Sequence, residues 1–111
     1  MLYHYVIVYM YFCTDIPTIG TPHSSITAKV STDVTLAVTV HGTYPQISSV
    51  VWTKNGNNID VDGRKYVGGS VQEPNLIIKS VEATDDGTYT CTISNGIGYG
   101  SVDVSLLSWS T

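Results

Sequence analysis

Apolar and polar residues alternate over short stretches from Ile26 onward, and turn-forming residues interrupt them about every 8 to 12 positions. The clearest alternation spans residues 34–40, where aliphatic side chains at every second position share one face. Because successive side chains of a strand point to opposite sides, this pattern predicts a strand with one buried face. No window has the spacing of an amphipathic helix. The pattern therefore predicts an all-β fold of antiparallel strands.

Four more segments have the pattern of short strands bounded by turn residues. The dipeptides Asn55–Gly56 and Asn95–Gly96 each follow one of these segments and suit turns that need a positive φ. In the segment before Asn95, the side chains of Tyr89, Cys91 and Ile93 are predicted to point inward. The four segments are residues 50–54, 76–78, 88–94 and 102–106.

The composition divides the chain into three parts. Residues 1–15 are apolar and aromatic, which is typical of a leader or of an extra N-terminal strand; read-through of untranslated or cloning sequence is a third explanation. Residues 16–25 are rich in Pro, Thr, Ser and Gly and predict a connector. Residues 26–108 carry the strand pattern, so we expect one folded domain there.

The charge content restricts the kinds of partner. Only 13% of the 111 residues are charged, and five Lys and Arg against nine Asp and Glu give a net charge of -4. Five scattered cations predict no basic patch for nucleic acid. No apolar run is long enough to span a bilayer, and two cysteines with three widely spaced histidines match no metal site. We therefore expect no nucleic-acid partner, no membrane span, and no cofactor, metal or small-molecule substrate.

Two patterns match parts of known binding loops without completing them. Asn58, Asp60 and Asp62 match the start of an EF-hand calcium loop, but Gly69 stands where that loop needs a bidentate glutamate. The alternating glycines of residues 96–100 precede a predicted strand, whereas a dinucleotide-binding loop must open a helix. No nucleophile elbow is present either, so we predict no catalytic residue.

The strongest local signal is the segment from Asp85 to Cys91, which reads Asp-Asp-Gly-Thr-Tyr-Thr-Cys. Gly87 permits a tight corner, and Tyr89 points inward, where its hydroxyl can bond backbone a few residues upstream. Asp85 is placed to cap the turn or to pair with a cation, for which we expect Arg64. These residues predict a corner that leads into a buried strand.

Together with Trp52, which lies 39 residues before Cys91, these features resemble the immunoglobulin superfamily, and most closely its I-set, over roughly residues 24–107. The resemblance implies an immunoglobulin-like Greek-key β-sandwich of two antiparallel sheets. It places Trp52 on strand C and the corner at the start of strand F. The structural core residues that it implies are Val38, Trp52, Leu76, Asp85, Gly87, Tyr89 and Cys91.

The chain departs from the family at Val38, where a strand-B cysteine usually stands. A bridge from that position to Cys91 would close a loop of roughly 54 residues and contribute about 4 kcal/mol in the chain-entropy model. Burial of the Val38 side chain recovers part of this, about 1.5–3 kcal/mol when complete. Cys91 is then either a buried free thiol or bridged to Cys13. In the first case we expect a domain less stable than its bridged relatives.

Two regions are candidates for contact with a protein partner. Outward side chains of the predicted strands C, F and G form a flat face with few charges, and loops at one end present tyrosine and isoleucine. Either region could equally be ordinary solvated surface, and Ile47 or Tyr99 could pack beneath its own loop. Trp109, past the last predicted strand, either meets a neighbouring domain or covers the base of the sandwich. The candidate residues are Tyr44, Ile47, Val51, Thr53, Thr90, Thr92, Ile97 and Tyr99.

The I-set resemblance implies a noncatalytic recognition or adhesion module of a cell-surface or secreted protein. The alternative is an intracellular, cytoplasmic structural module like the I-set domains of giant muscle proteins, which often lack the inter-sheet disulfide. The apolar start of the chain favours the first explanation, and the valine at position 38 favours the second. A third explanation, an accessory domain of an enzyme, has no catalytic pattern to support it.

Overall fold

Short β-strands and one 3-10 helix (Ala83–Asp85) form two packed layers in the computed structural model, which describes residues 16–42 and 44–111. This architecture confirms the immunoglobulin-like β-sandwich that the I-set resemblance implies. The strands are β1 (Thr18–Gly20), β2 (Ser25–Lys29), β3 (Val34–Leu36), β4 (Thr39–His41), β5 (Ser49–Lys54), β6 (Asn57–Asn58), β7 (Tyr66–Gly68), β8 (Leu76–Ile78), β9 (Gly87–Ser94) and β10 (Tyr99–Trp109).

The first layer is a five-stranded sheet with the order β2–β10–β9–β5–β6. Strand β9 pairs antiparallel with β10 on one side and with β5 on the other, so it lies at the centre of the sheet. The β5–β6 hairpin turns at Asn55 and Gly56, which both have a positive φ, as the sequence predicts. Strand β2 runs parallel to β10, which differs from the purely antiparallel layers expected.

The second layer is divided into two sheets. Strands β3, β8 and β7 form one antiparallel sheet, and β1 and β4 form the other. The prediction of one continuous strand over residues 34–40 is wrong, because the chain leaves the sheet at Ala37 and Val38. Side chains form the hydrogen bonds that the strand ladder would otherwise supply to the backbone there. Asn75 Oδ1 accepts the Val38 N–H at 2.8 Å, and the Thr21 hydroxyl donates to the Ala37 carbonyl at 2.7 Å.

The hydrophobic core lies between the two layers. Every second residue of β9 is buried, which confirms the predicted alternation, and β8 contributes both of its outer residues from the opposite layer. Val38 is half-buried and packs against this core. The buried apolar residues are Ala28, Leu36, Trp52, Leu76, Ile78, Val81, Tyr89, Cys91, Ile93, Val104 and Leu106.

The folded domain begins earlier and ends later than the sequence predicts. Residues 16–25, expected to be a connector, contain β1, which pairs with β4, and Pro17 beside it is fully buried. At the other end, Trp109 is the last residue of β10 and not a residue beyond the final strand. The expected leader or extra strand at residues 1–15 lies outside the described residues, so that interpretation stays a prediction.

Candidate interaction surface

The 3-10 helix and the corner that follows it anchor the start of β9. The Tyr89 hydroxyl donates to the Asp85 carbonyl oxygen at 2.6 Å, as the sequence predicts. Asp85 is buried, and its Oδ2 accepts the Glu82 backbone N–H at 2.8 Å, which caps the helix. Gly87 has a φ of 155°, and a Cβ at this position would lie 2.8 Å from the Asn55 side chain. Only glycine therefore fits the corner without strain.

The cation that pairs with Asp85 is Lys65, so the expected pair with Arg64 is wrong. Lys65 Nζ lies 2.7 Å from Asp85 Oδ2 and also donates to two backbone carbonyls, at 3.0 and 3.2 Å. Both cations lie in the turn before β7, where Asp62 accepts their backbone N–H groups. Sequence spacing could not separate these two adjacent cations, because the direction of a side chain in a turn does not follow the alternation of a strand.

The acidic loop that partly matches an EF-hand uses its central carboxylate to bond its own backbone. Asp62 Oδ1 accepts the N–H groups of Arg64 at 2.9 Å and Lys65 at 3.1 Å. These hydrogen bonds stabilise the charged carboxylate and so lower the pKa of Asp62; the bond from the Arg64 N–H has the largest effect. Within residues 16–42 and 44–111, no group of three or more His, Cys, Asp and Glu side chains could hold a metal ion.

Trp52 and Cys91 lie directly opposite each other on β5 and β9. Both are buried, and the Trp52 indole N–H donates to the Pro74 carbonyl at 2.8 Å. Cys91 is a buried free thiol, as one of the two sequence explanations predicts, whereas Cys13 lies outside the described residues. Burial raises the pKa of the Cys91 thiol to about 12. The thiol therefore stays protonated and is a poor nucleophile.

The outer surface of the five-stranded sheet carries very little charge. Its outward side chains alternate with the core positions of the same strands. Lys29 and Asp103 are the two charged residues among them. We call this surface the neutral face; it consists of Ser25, Thr27 and Lys29 on β2, Tyr99, Ser101, Asp103, Ser105, Leu107 and Trp109 on β10, Thr88, Thr90, Thr92 and Ser94 on β9, Ser49, Val51 and Thr53 on β5, and Asn58 on β6.

Four large apolar side chains project from the neutral face. The exposed fractions are 71% for Tyr99, 60% for Leu107, 48% for Trp109 and 41% for Val51. The sequence does not predict Leu107 as a contact residue, and it offers Trp109 only as a contact with a neighbouring domain or as a cover for the base of the sandwich. The alternation of outward residues along the last strand, continued past Ser105, is the signal that would have identified them.

The central threonine side chains of the neutral face are less exposed than expected. Thr53, Thr90 and Thr92 point outward as predicted, but each is only half-exposed. Asp103, Thr90 and Thr53 lie side by side on three neighbouring strands, and the Thr90 hydroxyl donates to Asp103 Oδ1 at 2.7 Å. The threonines thus form the flat, half-buried part of the surface, and the apolar side chains project above it.

Asn95 joins the two loops at the N-terminal end of the sandwich. Its Nδ2 donates to the Pro45 carbonyl at 3.1 Å, and its Oδ1 accepts the N–H groups of Ile97 at 3.0 Å and Gly98 at 3.2 Å. The sequence pattern predicts only a turn at Asn95. Its burial and its bonds to both loops show that it also sets their relative position.

The end of the sandwich near Asn95 exposes a second set of apolar side chains, which we call the apolar pole: Ile16, Tyr44, Ile97 and Tyr99. Tyr99 belongs to both surfaces, so the apolar pole adjoins the neutral face. Of the two residues that the sequence left undecided, Ile47 packs against the core and Tyr99 is exposed. Residues 44–48 and 94–99, which form the two loops that Asn95 connects, contain no Asp, Glu, Lys or Arg.

Comparison with known proteins agrees with this geometry. The family model described as immunoglobulin I-set domain matches residues 17–107. Human hemicentin-1 is 33% identical over 82 residues, which cover 74% of this chain and 1% of that protein. Human neural cell adhesion molecule 1 is 32% identical over 85 residues, which cover 74% of this chain and 10% of that protein. The I-band fragment I67–I69 of titin superposes with a TM-score of 0.74 and 27% identity, over 86% of this chain and 33% of that chain.

The similar proteins include cell adhesion molecules and titin, so they agree with a protein-binding immunoglobulin module. The chain spans only 1% and 10% of the length of the two named curated relatives. No helix in the described part of the chain is long and apolar enough to cross a membrane. Because the family model matches most of the sequence and the fold agrees with it, the chain belongs to the immunoglobulin I-set family.

Proposed function

We propose that this chain is a noncatalytic protein-recognition module of a cell-surface or secreted adhesion protein. It binds its partner through the neutral face and the adjoining apolar pole. Among its relatives, the neural cell adhesion molecule supports the adhesion role. The buried, protonated thiol of Cys91 supports the noncatalytic assignment, since it offers no reactive nucleophile.

The observation that carries this proposal is the exposure of Val51, Tyr99, Leu107 and Trp109 on a face with only two charged residues. About a quarter of the residues of an ordinary soluble domain are charged, and most of them lie on the surface. Exposed apolar area gains about 25 cal/mol per Å² when a partner covers it. Tyrosine and tryptophan are also the residues that most often anchor protein interfaces. A flat face of this kind suits a protein partner better than a small molecule, which needs a concave site.

A bead-binding assay tests the proposal. Beads coated with the chain are mixed with cells and, separately, with one another, and the bound or clustered fraction is counted. We expect specific binding in at least one arm. Val51→Asp and Ser101→Asp place a charge in one row of the neutral face, and we expect each to reduce binding at least tenfold.

Thr35→Asp is the matched control, because Thr35 is an exposed residue of β3 on the opposite layer. Circular dichroism of each variant checks that the fold is intact. Beads that bind neither cells nor one another contradict the proposal, and so does binding that the control variant weakens as much as the two face variants do.

A second candidate function is that of an intracellular structural module. The free thiol of Cys91 and the similarity to titin favour it. Disulfides are rare in reducing compartments such as the cytosol, so a domain without one is typical of an intracellular protein. Surface biotinylation of the full-length gene product in intact cells separates the two. Labelling supports the adhesion module, and labelling only after lysis supports the structural module.

A further inference from the structure

We infer that the partner of the neutral face is a second copy of this chain, packed face to face with the two β10 strands antiparallel. This inference rests on the proposed function, since it names the partner of the same surface. It follows from three observations: the arrangement of side chains along β10, the positions of the two charges and the size of the face.

The outward residues of β10 are self-complementary about the centre of the strand. In this arrangement a two-fold axis lies in the plane between the stacked sheets, perpendicular to β10 and level with Val104. The axis pairs each outward residue of one β10 with the residue of the partner's β10 that is equally distant from Val104 on the other side. Tyr99 then meets the partner's Trp109, and Ser101 meets the partner's Leu107. The aromatic side chains at the two ends of one strand thus contact each other across the interface, and the small hydroxyl residue leaves room for the larger leucine.

Asp103 decides between the two symmetric ways of stacking the face. If the axis ran along β10, Asp103 would lie against the partner's Asp103, and the two carboxylates would repel each other in a desolvated position. With the strands antiparallel, Asp103 instead faces the partner's Ser105, whose hydroxyl can donate to it. The hydrogen bond from the Thr90 hydroxyl already holds the Asp103 carboxylate close to the sheet. The antiparallel arrangement is therefore the favoured one.

The other charge of the face fits the same arrangement. Lys29 lies beside Trp109 in the β2–β10 register, and its Nζ is 5.8 Å from the centroid of the Trp109 ring. The partner's Tyr99 would arrive at this end of the face. The Lys29 ammonium then lies near two aromatic rings and needs no acidic partner.

The neutral face reaches the size of a small dimer interface. Its strands are 5, 11, 8, 6 and 2 residues long in the order β2–β10–β9–β5–β6. With strands about 4.8 Å apart and a rise of about 3.3 Å per residue, the face covers on the order of 500 Å². Two copies would together bury on the order of 1,000 Å², which is the lower limit for a specific interface. Four exposed apolar side chains spread over it supply the anchors.

Sedimentation equilibrium of the full-length chain under reducing conditions tests the association. We expect a concentration-dependent monomer–dimer equilibrium, and we expect Tyr99→Ser and Trp109→Ser each to weaken dimerisation at least tenfold. Val71→Ser is the matched control, because Val71 is an exposed apolar residue outside the neutral face. Tyr11→Ser, in the apolar segment outside the described residues, checks whether that segment causes the association.

Cross-linking tests the orientation of the two copies. In a Cys13→Ser background, Ser101→Cys and Leu107→Cys chains are treated with a short bis-maleimide, separately and as a mixture. The antiparallel arrangement predicts more cross-linked dimer in the mixture than in either chain alone. Cross-linking of the Ser101→Cys chain with itself, at the level of the mixture or above, would overturn the arrangement.

Three further results, from the sedimentation experiment, would overturn the inference: a monomer at every concentration up to millimolar, a dimer that neither face variant weakens, or a dimer that Tyr11→Ser abolishes. None of them would overturn the proposed function. A chain that is monomeric but still binds cells in a way that Val51→Asp abolishes keeps its recognition role, with a different protein as partner.

Discussion

The Lys65 ammonium and the Asp85 carboxylate form an ion pair with an N–O distance of 2.7 Å at the corner before β9. Asp85 is buried, and it also caps the 3-10 helix and accepts the Tyr89 hydroxyl through its backbone carbonyl. One residue thus connects the turn, the helix and the central strand of the five-stranded sheet. Because β9 carries the middle of the neutral face, this corner supports the surface to which we assign recognition.

Lys65→Met should destabilise the domain, because it leaves the buried Asp85 carboxylate without its cation. We expect a loss of about 1–2 kcal/mol, less than for a fully buried pair because the Lys65 side chain is partly exposed to solvent. Urea unfolding measures the effect. The control is Arg64→Met, for which we expect a change within about 0.5 kcal/mol. Equal losses in the two variants would contradict the assignment of the pair to Lys65.

Tyr89→Phe should cost about 1–2 kcal/mol, because it removes a buried hydrogen bond and leaves the Asp85 carbonyl without the donor that satisfies it. Thermal unfolding followed by circular dichroism gives the change. Tyr99→Phe, which alters an exposed ring, serves for comparison and should be neutral. If Tyr89→Phe is equally neutral, the hydroxyl bond does not anchor the corner.

Val38→Cys should stabilise the domain under oxidising conditions, because a bridge to Cys91 would restrict the unfolded chain. The gain expected from a loop of roughly 54 residues is up to about 4 kcal/mol, less the burial that the valine now supplies. Melting temperatures with and without reductant measure it, and mass spectrometry confirms the bridge. A bridge that forms without raising the melting temperature would show that Val38 already supplies the missing stability.

Cys91 should make the domain less stable at alkaline pH. Its folded pKa of about 12 lies above the reference value of 9.0, so from pH 9 upward the unfolded chain loses the thiol proton first. The stability that Cys91 contributes is therefore complete well below pH 9 and declines between pH 9 and 12, by about 1 kcal/mol at pH 10. Urea unfolding of the chain and of Cys91→Ala at pH 7.5 and pH 10 measures the difference. Parallel pH dependence in the two proteins would contradict this assignment.

Local patterns were sufficient for those parts of the fold that depend on neighbouring residues. The alternation of β9 and β10, the Asn55–Gly56 hairpin and the Tyr89 hydroxyl bond all follow from spacings of a few positions. The break at Ala37 and Val38 could not be predicted in this way. It depends on side chains of Asn75 and Thr21, which are distant in the sequence and replace the ladder bonds in space.

The amino-acid order alone determined the all-β class, the inward and outward faces of the strands and the I-set family. The reason is that periodicity and turn chemistry act over a few residues of backbone. The tertiary structure alone decided that Lys65 and not Arg64 pairs with Asp85, and that Asn95 connects the two loops at one end of the sandwich. These features depend on which side chains meet across the layers and along the sheet, and packing, not local spacing, sets those distances.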